Sequence, residues 1–293
     1  MRLGDQWDSG SAAFPTYWNL RAMLVALVCV WALVAWGQPA QAGQPLPWQM
    51  DMQPAATPLA EQLQWFHTFL LYIITGIVIF VFSLMGYVLL RFNERANPKP
   101  SRTTHNTFLE IAWTVVPILI LLVIAIPSFR LLFAQYAYPQ PDLTIKAIGS
   151  QWYWTYEYPD YDNLTFDAVM VEDDKLKPGQ PRLLATDNEV VVPVNKNVQV
   201  FVTASDVIHN WTVPAFGVKL DGVPGRLQRT WFRAERTGIF YGQCSELCGR
   251  RHAFMPIAVR VVSQEEFEQW LIRAKKEFAT GPSRAAEVAR LEQ

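Results

Sequence analysis

Cysteine is scarce in this chain, with three residues in 293. A disulfide framework therefore does not hold it together. Net charge is scarce too, at −1, so a general nucleic-acid role has no electrostatic support. No Cys-x-x-Cys-His occurs, so no c-type haem domain is fused here, and no internal repeat stands out. Charge is missing altogether from two long stretches: no Asp, Glu, Lys or Arg lies between Glu61 and Arg91, and none between Glu110 and Arg130. Aromatic residues, by contrast, are plentiful. There are 12 Trp and 17 Phe, as expected where side chains meet both lipid and protein.

The length suits one or two domains. The uncharged stretches predict two membrane helices over 66–90 and 109–133, each long enough to cross a bilayer with some tilt. The connection 91–108 holds Arg91, Arg95, Lys99 and Arg102 against Glu94 alone. Short basic loops stay in the cytoplasm, so both outer ends of the hairpin and everything after Pro139 face the other side, most simply a bacterial periplasm. A third apolar run, 23–36, follows Arg21 and precedes Ala40-Gln-Ala42. That pattern reads as an export signal, 1–42, cut after Ala42; the alternative is a retained third helix. Cys29 lies inside the run and would leave with the signal. Segment 43–65 would be periplasmic, and its Pro- and Gln-rich start predicts irregular chain wrapped on a surface or a partner.

From 134 to 262 the pattern turns to short β-branched runs such as Thr144–Ile148, Val198–Val202 and Ile257–Val262, separated by turn residues. They predict a small all-β domain, sandwich or barrel, anchored by the hairpin. In 263–293, Ser263 and Glu266 have capping-box spacing, and Phe267, Trp270, Leu271 and Ala274 form an apolar stripe, which predicts a final helix and tail.

The chemistry concentrates in Cys244-Ser-Glu246-Leu-Cys248-Gly-Arg-Arg-His252-Ala-Phe-Met255, with His209 upstream. Thiols, imidazoles and a thioether together suit copper and electron transfer better than hydrolysis. One Cys, two His and one Met would make a mononuclear site; a second thiolate allows two bridging sulfurs and a copper pair. A Cys244–Cys248 disulfide and a structural zinc site are the other readings. Met255 alone would more often be a core methionine, and His252 alone a surface one. Gly249, Trp211 and Phe254 are expected to limit water access to the site.

Five segments carry a family resemblance: Tyr241-Gly-Gln-Cys-Ser-Glu-Leu-Cys-Gly, His252-Ala-Phe-Met-Pro256, Gln151-Trp-Tyr-Trp-Thr-Tyr-Glu-Tyr-Pro159, Val213-Pro-Ala-Phe-Gly217 and Asn106-Thr-Phe-Leu-Glu-Ile-Ala-Trp-Thr-Val-Val-Pro117. Together they resemble subunit II of the haem–copper cytochrome c oxidases, most of all the alphaproteobacterial and mitochondrial aa3 type, from the first membrane helix to about Trp270. The resemblance implies a cupredoxin-like domain behind a two-helix anchor in the bacterial inner membrane, and a dinuclear copper A centre. Cys244 and Cys248 would bridge both coppers. His209 and Met255 would complete one, and His252 with the carbonyl of Glu246 the other. The Glu246 carboxylate would reach a magnesium ion at the border with subunit I.

The resemblance also makes Trp152 the residue that takes the electron from cytochrome c, and Glu110 the cytoplasmic mouth of a proton pathway. Glu157, Asp160, Asp162 and Asp206 would help dock the cytochrome, the first three within an acidic run that continues through Asp167, Glu172, Asp173 and Asp174. On charge alone that run reads equally as a solvated acidic face; with the resemblance, it would steer a cationic partner. Arg226, Arg250 and Arg251 are candidates for haem-propionate or interface contacts. Ser150 stands where many relatives have histidine. The implied activity is that of the oxidase complex with subunits I and III: electrons pass to haem in subunit I, where dioxygen is reduced to water as protons are pumped. A quinol oxidase subunit II lacks the copper ligands that are all present here, nitrous oxide reductase lacks the hairpin, and a copper-delivery protein would need neither the hairpin nor the Trp152 run.

Overall fold

The structure, a computed structural model, describes residues 43–278. The export signal expected over 1–42, Cys29 with it, and the chain beyond 278 lie outside the described residues. Two long helices come first, α1 (Pro58–Arg91) and α2 (Thr107–Tyr136). Both are long and apolar enough to cross a membrane, and none of their central side chains is buried. α1 starts earlier than its apolar run because a cap sets its start. The Thr57 hydroxyl accepts from Ala60 N at 3.0 Å, and Pro58 occupies the first turn, where its missing N–H costs nothing. Polar Glu61, Gln62 and Gln64 thus become the first turns of the helix. Asn106 caps α2 in the same way, accepting from Leu109 N at 3.2 Å.

The rest is built of ten strands: β1 (Leu143–Ser150), β2 (Tyr153–Tyr158), β3 (Leu164–Ala168), β4 (Val190–Pro193), β5 (Val198–Ala204), β6 (His209–Val213), β7 (Val218–Gly222), β8 (Gln228–Phe232), β9 (Gly238–Gln243) and β10 (Pro256–Val262). They form a five-stranded sheet ordered β3-β2-β1-β5-β8, a three-stranded sheet β4-β10-β9, and the pair β6-β7. β1 runs parallel to β5 and β4 parallel to β10; the other pairings are antiparallel. β2 and β5 alternate throughout and β1 does so up to Gly149, with Ile145, Ala147, Trp154, Tyr156, Tyr158, Val200 and Val202 turned inward. The aromatic run of β2 is therefore core at every second position.

β6 binds the architecture together by touching β1 and β5 of one sheet and β9 and β10 of the other. Its approach to β9 is so close that a Cβ on Gly242 would lie inside the Thr212 carbonyl oxygen, so only glycine fits there. A final helix, α3 (Gln264–Phe278), opens with a reciprocal capping box: Glu266 N to Ser263 Oγ and Ser263 N to Glu266 Oε2, both 3.2 Å. Phe267, Leu271 and Ala274 are buried, and the Phe267 and Phe278 rings lie on Tyr161 and Phe166.

Candidate metal centre

The close packing of β6 on β9 sets up the site. His209 is the first residue of β6, and Cys244 directly follows β9. Cys244 to Met255 form the loop between β9 and β10, whose neck is closed by Cys244 N donating to Met255 O at 3.3 Å. A second bond, Ser245 N to Asn210 O at 3.2 Å, ties that loop to β6. Inside the loop Gly249 adopts φ +120°, and a Cβ there would crowd the Trp152 ring at 3.0 Å. A short 3₁₀ turn, His252–Phe254, aims His252 back toward the thiols.

The loop and β6 bring all the expected side chains together. Cys244 Sγ lies 3.9 Å from both Cys248 Sγ and His209 Nδ1. Cys248 Sγ lies 3.5 Å from His252 Nδ1 and 3.5 Å from Met255 Sδ. The Glu246 carbonyl oxygen sits 3.3 Å from Cys244 Sγ. His209, Cys244, Cys248 and Met255 are buried, and His252 is half-buried. Both cysteines are free, so the disulfide reading does not hold. Two imidazoles, two thiols, a thioether and one carbonyl form a soft donor set that fits copper and not a hard cation.

The thiols differ electrostatically. Burial would raise Cys244, but the His209 imidazole and the nearby backbone groups outweigh it and bring the thiol down. Cys248 is pushed up to about 12, first by burial and then by the neighbouring Cys244. His209 would be lowered by burial, yet Cys244 and Asp206 raise it. Metal binding here must displace a proton.

Three supports of the site were hidden in the sequence. Asp206 accepts His209 Nε2 at 2.8 Å, together with the backbone N–H groups of Gln151 at 2.7 Å and Val207 at 2.6 Å. It orients the imidazole so that Nδ1 faces Cys244, and the Asp206-Val-Ile-His209 spacing was the available signal. Trp154 lies edge-on to His209, ring centroids 6.0 Å apart. Gly149 of β1 sits directly beneath the same ring. Of the aromatics expected to exclude water, Trp211 is buried and donates to Tyr156 Oη at 3.3 Å, whereas Phe254 is 37% exposed.

The remaining expected residues are spread more widely. Half-buried Trp152 donates from Nε1 to the Cys248 carbonyl at 3.2 Å, and Gln151 Nε2 donates to the same oxygen at 2.8 Å. Arg250 stands 5.7 Å above the Trp152 ring. Arg251 pairs with Glu172 at 3.2 Å, and Arg226 stands in the turn before β8. Ser150 is buried and shares a hydrogen bond with Ser205 at 2.8 Å. The Glu246 side chain is exposed. Glu110 lies in the first turn of α2, at the end of the hairpin remote from the β domain. Glu157, Asp160 and Asp162 fall at the far end of β2 from Trp152, about 17 Å along the strand or more. Glu157 pairs with Lys146 at 3.0 Å, Asp162 with Lys275 at 2.5 Å, and Asp160 accepts Thr144 N at 2.7 Å. Asp173 pairs with Arg182 at 2.7 Å, so much of the acidic run is internally neutralised.

Comparison with known proteins agrees with this geometry. The profile described as cytochrome C oxidase subunit II, periplasmic domain, matches residues 143–262, and that of its transmembrane domain matches 45–131. A probable cytochrome c oxidase subunit 2 of Rickettsia felis is 51% identical over 259 residues, covering 88% of this chain and 81% of the relative. Cytochrome c oxidase subunit 2 of Cereibacter sphaeroides is 51% identical over 251 residues, covering 80% and 82%, and that of Zea mays is 48% identical over 231 residues, covering 77% and 89%. Among solved structures, the periplasmic domain of subunit II of cytochrome oxidase of Bradyrhizobium japonicum is 60% identical, covers 48% of this chain and 99% of its own, and superposes with a TM-score of 0.46. The family brings with it a copper A site, a membrane anchor with a periplasmic domain, the other subunits of an oxidase and the oxidoreductase class. With both profiles matched and about half of all aligned residues shared with relatives that it nearly spans, the chain belongs to the cytochrome c oxidase subunit II family.

Proposed function

We propose that this subunit takes electrons from cytochrome c on the periplasmic face of a bacterial inner membrane and passes them to haem in subunit I, in a complex that also holds subunit III. The observation that carries this reading is the convergence of His209, Cys244, Cys248, His252, Met255 and the Glu246 carbonyl, with Trp152 bonded to the same loop. These residues would hold the two coppers of the copper A centre. When bound, such a pair shares one electron over two metals, which reduces the rearrangement each transfer requires.

The chain's own residues do the rest. Trp152 lies half-buried beside the loop, and its N–H on the Cys248 carbonyl offers a short bonded route from the surface to a sulfur ligand. Asp206 fixes the His209 ring, and Trp154 covers its edge, so the imidazole stays in place and is shielded from water. The exposed Glu246 carboxylate is free to reach a magnesium ion at the seam with subunit I. Glu110 would receive protons at the cytoplasmic end of α2 and hand them to subunit I. Asp206 is the docking candidate beside Trp152; paired Glu157 and Asp162, with Asp160, would act on cytochrome c only through the longer-range field. No bond is made or broken in this chain.

The test is metal analysis with electron paramagnetic resonance on the full chain in detergent. Two coppers per chain with a shared-electron signal are expected; one copper, or zinc, would overturn the dinuclear reading.

A further inference from the structure

At their outer ends the two helices enclose a groove of about 440 Å³ that none of the electron-transfer residues touches. Pro58, Glu61, Trp65 and Phe66 of α1 line it, with Pro127 and Arg130 of α2. Its depth in the membrane follows from helix length. α1 has 34 residues, about 51 Å, against a hydrocarbon core of about 30 Å, so about 10 Å stands clear at each end. Glu61 lies about 5 Å from the start of α1, and Arg130 about 9 Å from the end of α2. Glu61 therefore stands at headgroup level on the periplasmic side, and Arg130, on the shorter 30-residue α2 with about 7.5 Å clear, lies at the edge of the hydrocarbon core, from which its long side chain reaches the headgroups. Trp65, 60% exposed and one turn below Glu61, falls at the boundary where aromatic belts sit.

Opposite charges share this groove without using each other. Among the described residues, neither Glu61 nor Arg130 makes an ion pair or a side-chain hydrogen bond. At the edge of a low-dielectric slab, unpaired charges are costly, and charge-assisted contacts from a ligand gain accordingly. Below them, Phe66 and Pro127 offer an apolar wall. The volume is that of a small-molecule site, within about 300–1,000 Å³.

We propose that the groove holds a zwitterionic phospholipid of the outer leaflet. Its phosphate rests on Arg130, its ammonium on Glu61, and its chains run down over Phe66 and Pro127. A purely anionic lipid would satisfy Arg130 but meet repulsion from Glu61.

The experiment is native mass spectrometry of the intact, delipidated oxidase, titrated with dioleoyl phosphatidylethanolamine or with dioleoyl phosphatidylglycerol. The wild type should retain one phosphatidylethanolamine in preference to phosphatidylglycerol. Arg130→Gln should raise the half-saturating phosphatidylethanolamine concentration about tenfold, and Arg130→Lys should restore most of the binding. Glu61→Gln should erase the preference between the two lipids. Unchanged copper content establishes that each variant is folded. Identical titrations for wild type and all variants would mean that another subunit fills the groove, and would overturn the proposal. So would tighter binding of both lipids by Glu61→Gln, which marks a plain phosphate site.

Discussion

Gly149→Ala puts the smallest possible side chain against the most constrained ligand of the site. A Cβ on Gly149 would lie 2.8 Å from the Cβ, Cγ and Cδ2 atoms of His209. The Cβ atom is fixed by the backbone, so a rotamer change, which moves only Cγ and the ring, cannot clear the contact. The ring is held further by Asp206 at Nε2, 2.8 Å away, and by Trp154 at its edge. To reach the 3.4 Å of ordinary contact, β1 and β6 must separate locally by at least about 0.6 Å. Overpacking of this kind costs about 1–3 kcal/mol, which lowers the melting midpoint of a domain this size by about 3–10 °C. The same displacement acts on copper. Metal–ligand distances hold to within about 0.2 Å, so moving the imidazole by about three times that much should distort or empty one half of the site. Calorimetry on the metal-free full chain reads the first effect; copper stoichiometry and the hyperfine pattern of the resonance signal read the second. Gly76→Ala in α1, where an added Cβ has nothing within 4 Å, is the control and should change neither. An unaltered midpoint together with an unaltered copper signal in Gly149→Ala would refute the packing argument.

Asp206→Asn should weaken copper binding by about 10–100-fold. An amide can donate to His209 Nε2 and drive the proton onto Nδ1, the nitrogen that faces Cys244. Competition with a copper chelator measures this, and Asp206→Glu should retain more affinity. Trp152→Phe removes the N–H that meets the Cys248 carbonyl; stopped-flow reduction by cytochrome c should slow about tenfold with copper content intact, and an unchanged rate would reject Trp152 as the electron acceptor. Gly43→Ala meets both a φ of +78° and a Cβ position 2.5 Å from the Ile239 oxygen, so it should release the segment before α1 from β9, seen as faster proteolysis ahead of Pro58.

The residues that meet within one loop were legible as spacing. Cys244, Cys248, His252 and Met255 need only a turn at Gly249 to converge, and the soft donor set favours copper while leaving zinc and a disulfide open until the family resemblance is added. The two uncharged stretches were legible as length, although apolarity could not locate the start of α1, which belongs to Thr57. The acidic run shows the opposite. Read along the chain it contains no cation, yet Glu157 meets Lys146 through the β1–β2 register. Asp162 finds Lys275 from a helix 113 positions away, and Glu172 finds Arg251, 79 positions away. The sign of a surface field belongs to the tertiary structure, so the steering expected near Trp152 was the least legible feature. Gly149 and Gly242 were illegible for the same reason: what stands over each glycine is contributed by a strand remote in sequence.

One strand explains why the anchor and the metal site act as a single body. β6 runs from His209 to Val213, about 13 Å, and enters the turn Pro214–Phe216 without a break. That turn grips the head of α1: Ala56 N donates to Ala215 O at 2.8 Å, and the Thr57 hydroxyl donates to Phe216 O at 2.8 Å while accepting from Ala60 N. Glu235 N closes the clamp on Ala56 O at 2.9 Å. Gly217, at φ +68°, lets the chain leave the turn, and a Cβ there would come within 3.0 Å of Ala60 Cα. His209 is thus joined to the start of a membrane helix by one sheet strand and one hydrogen-bonded turn, with no flexible linker between them. A site built this way is held by rigid elements rather than by its loop. Its position relative to the start of α1 is set by β6 and the turn that follows it, and not by the Cys244–Met255 loop alone.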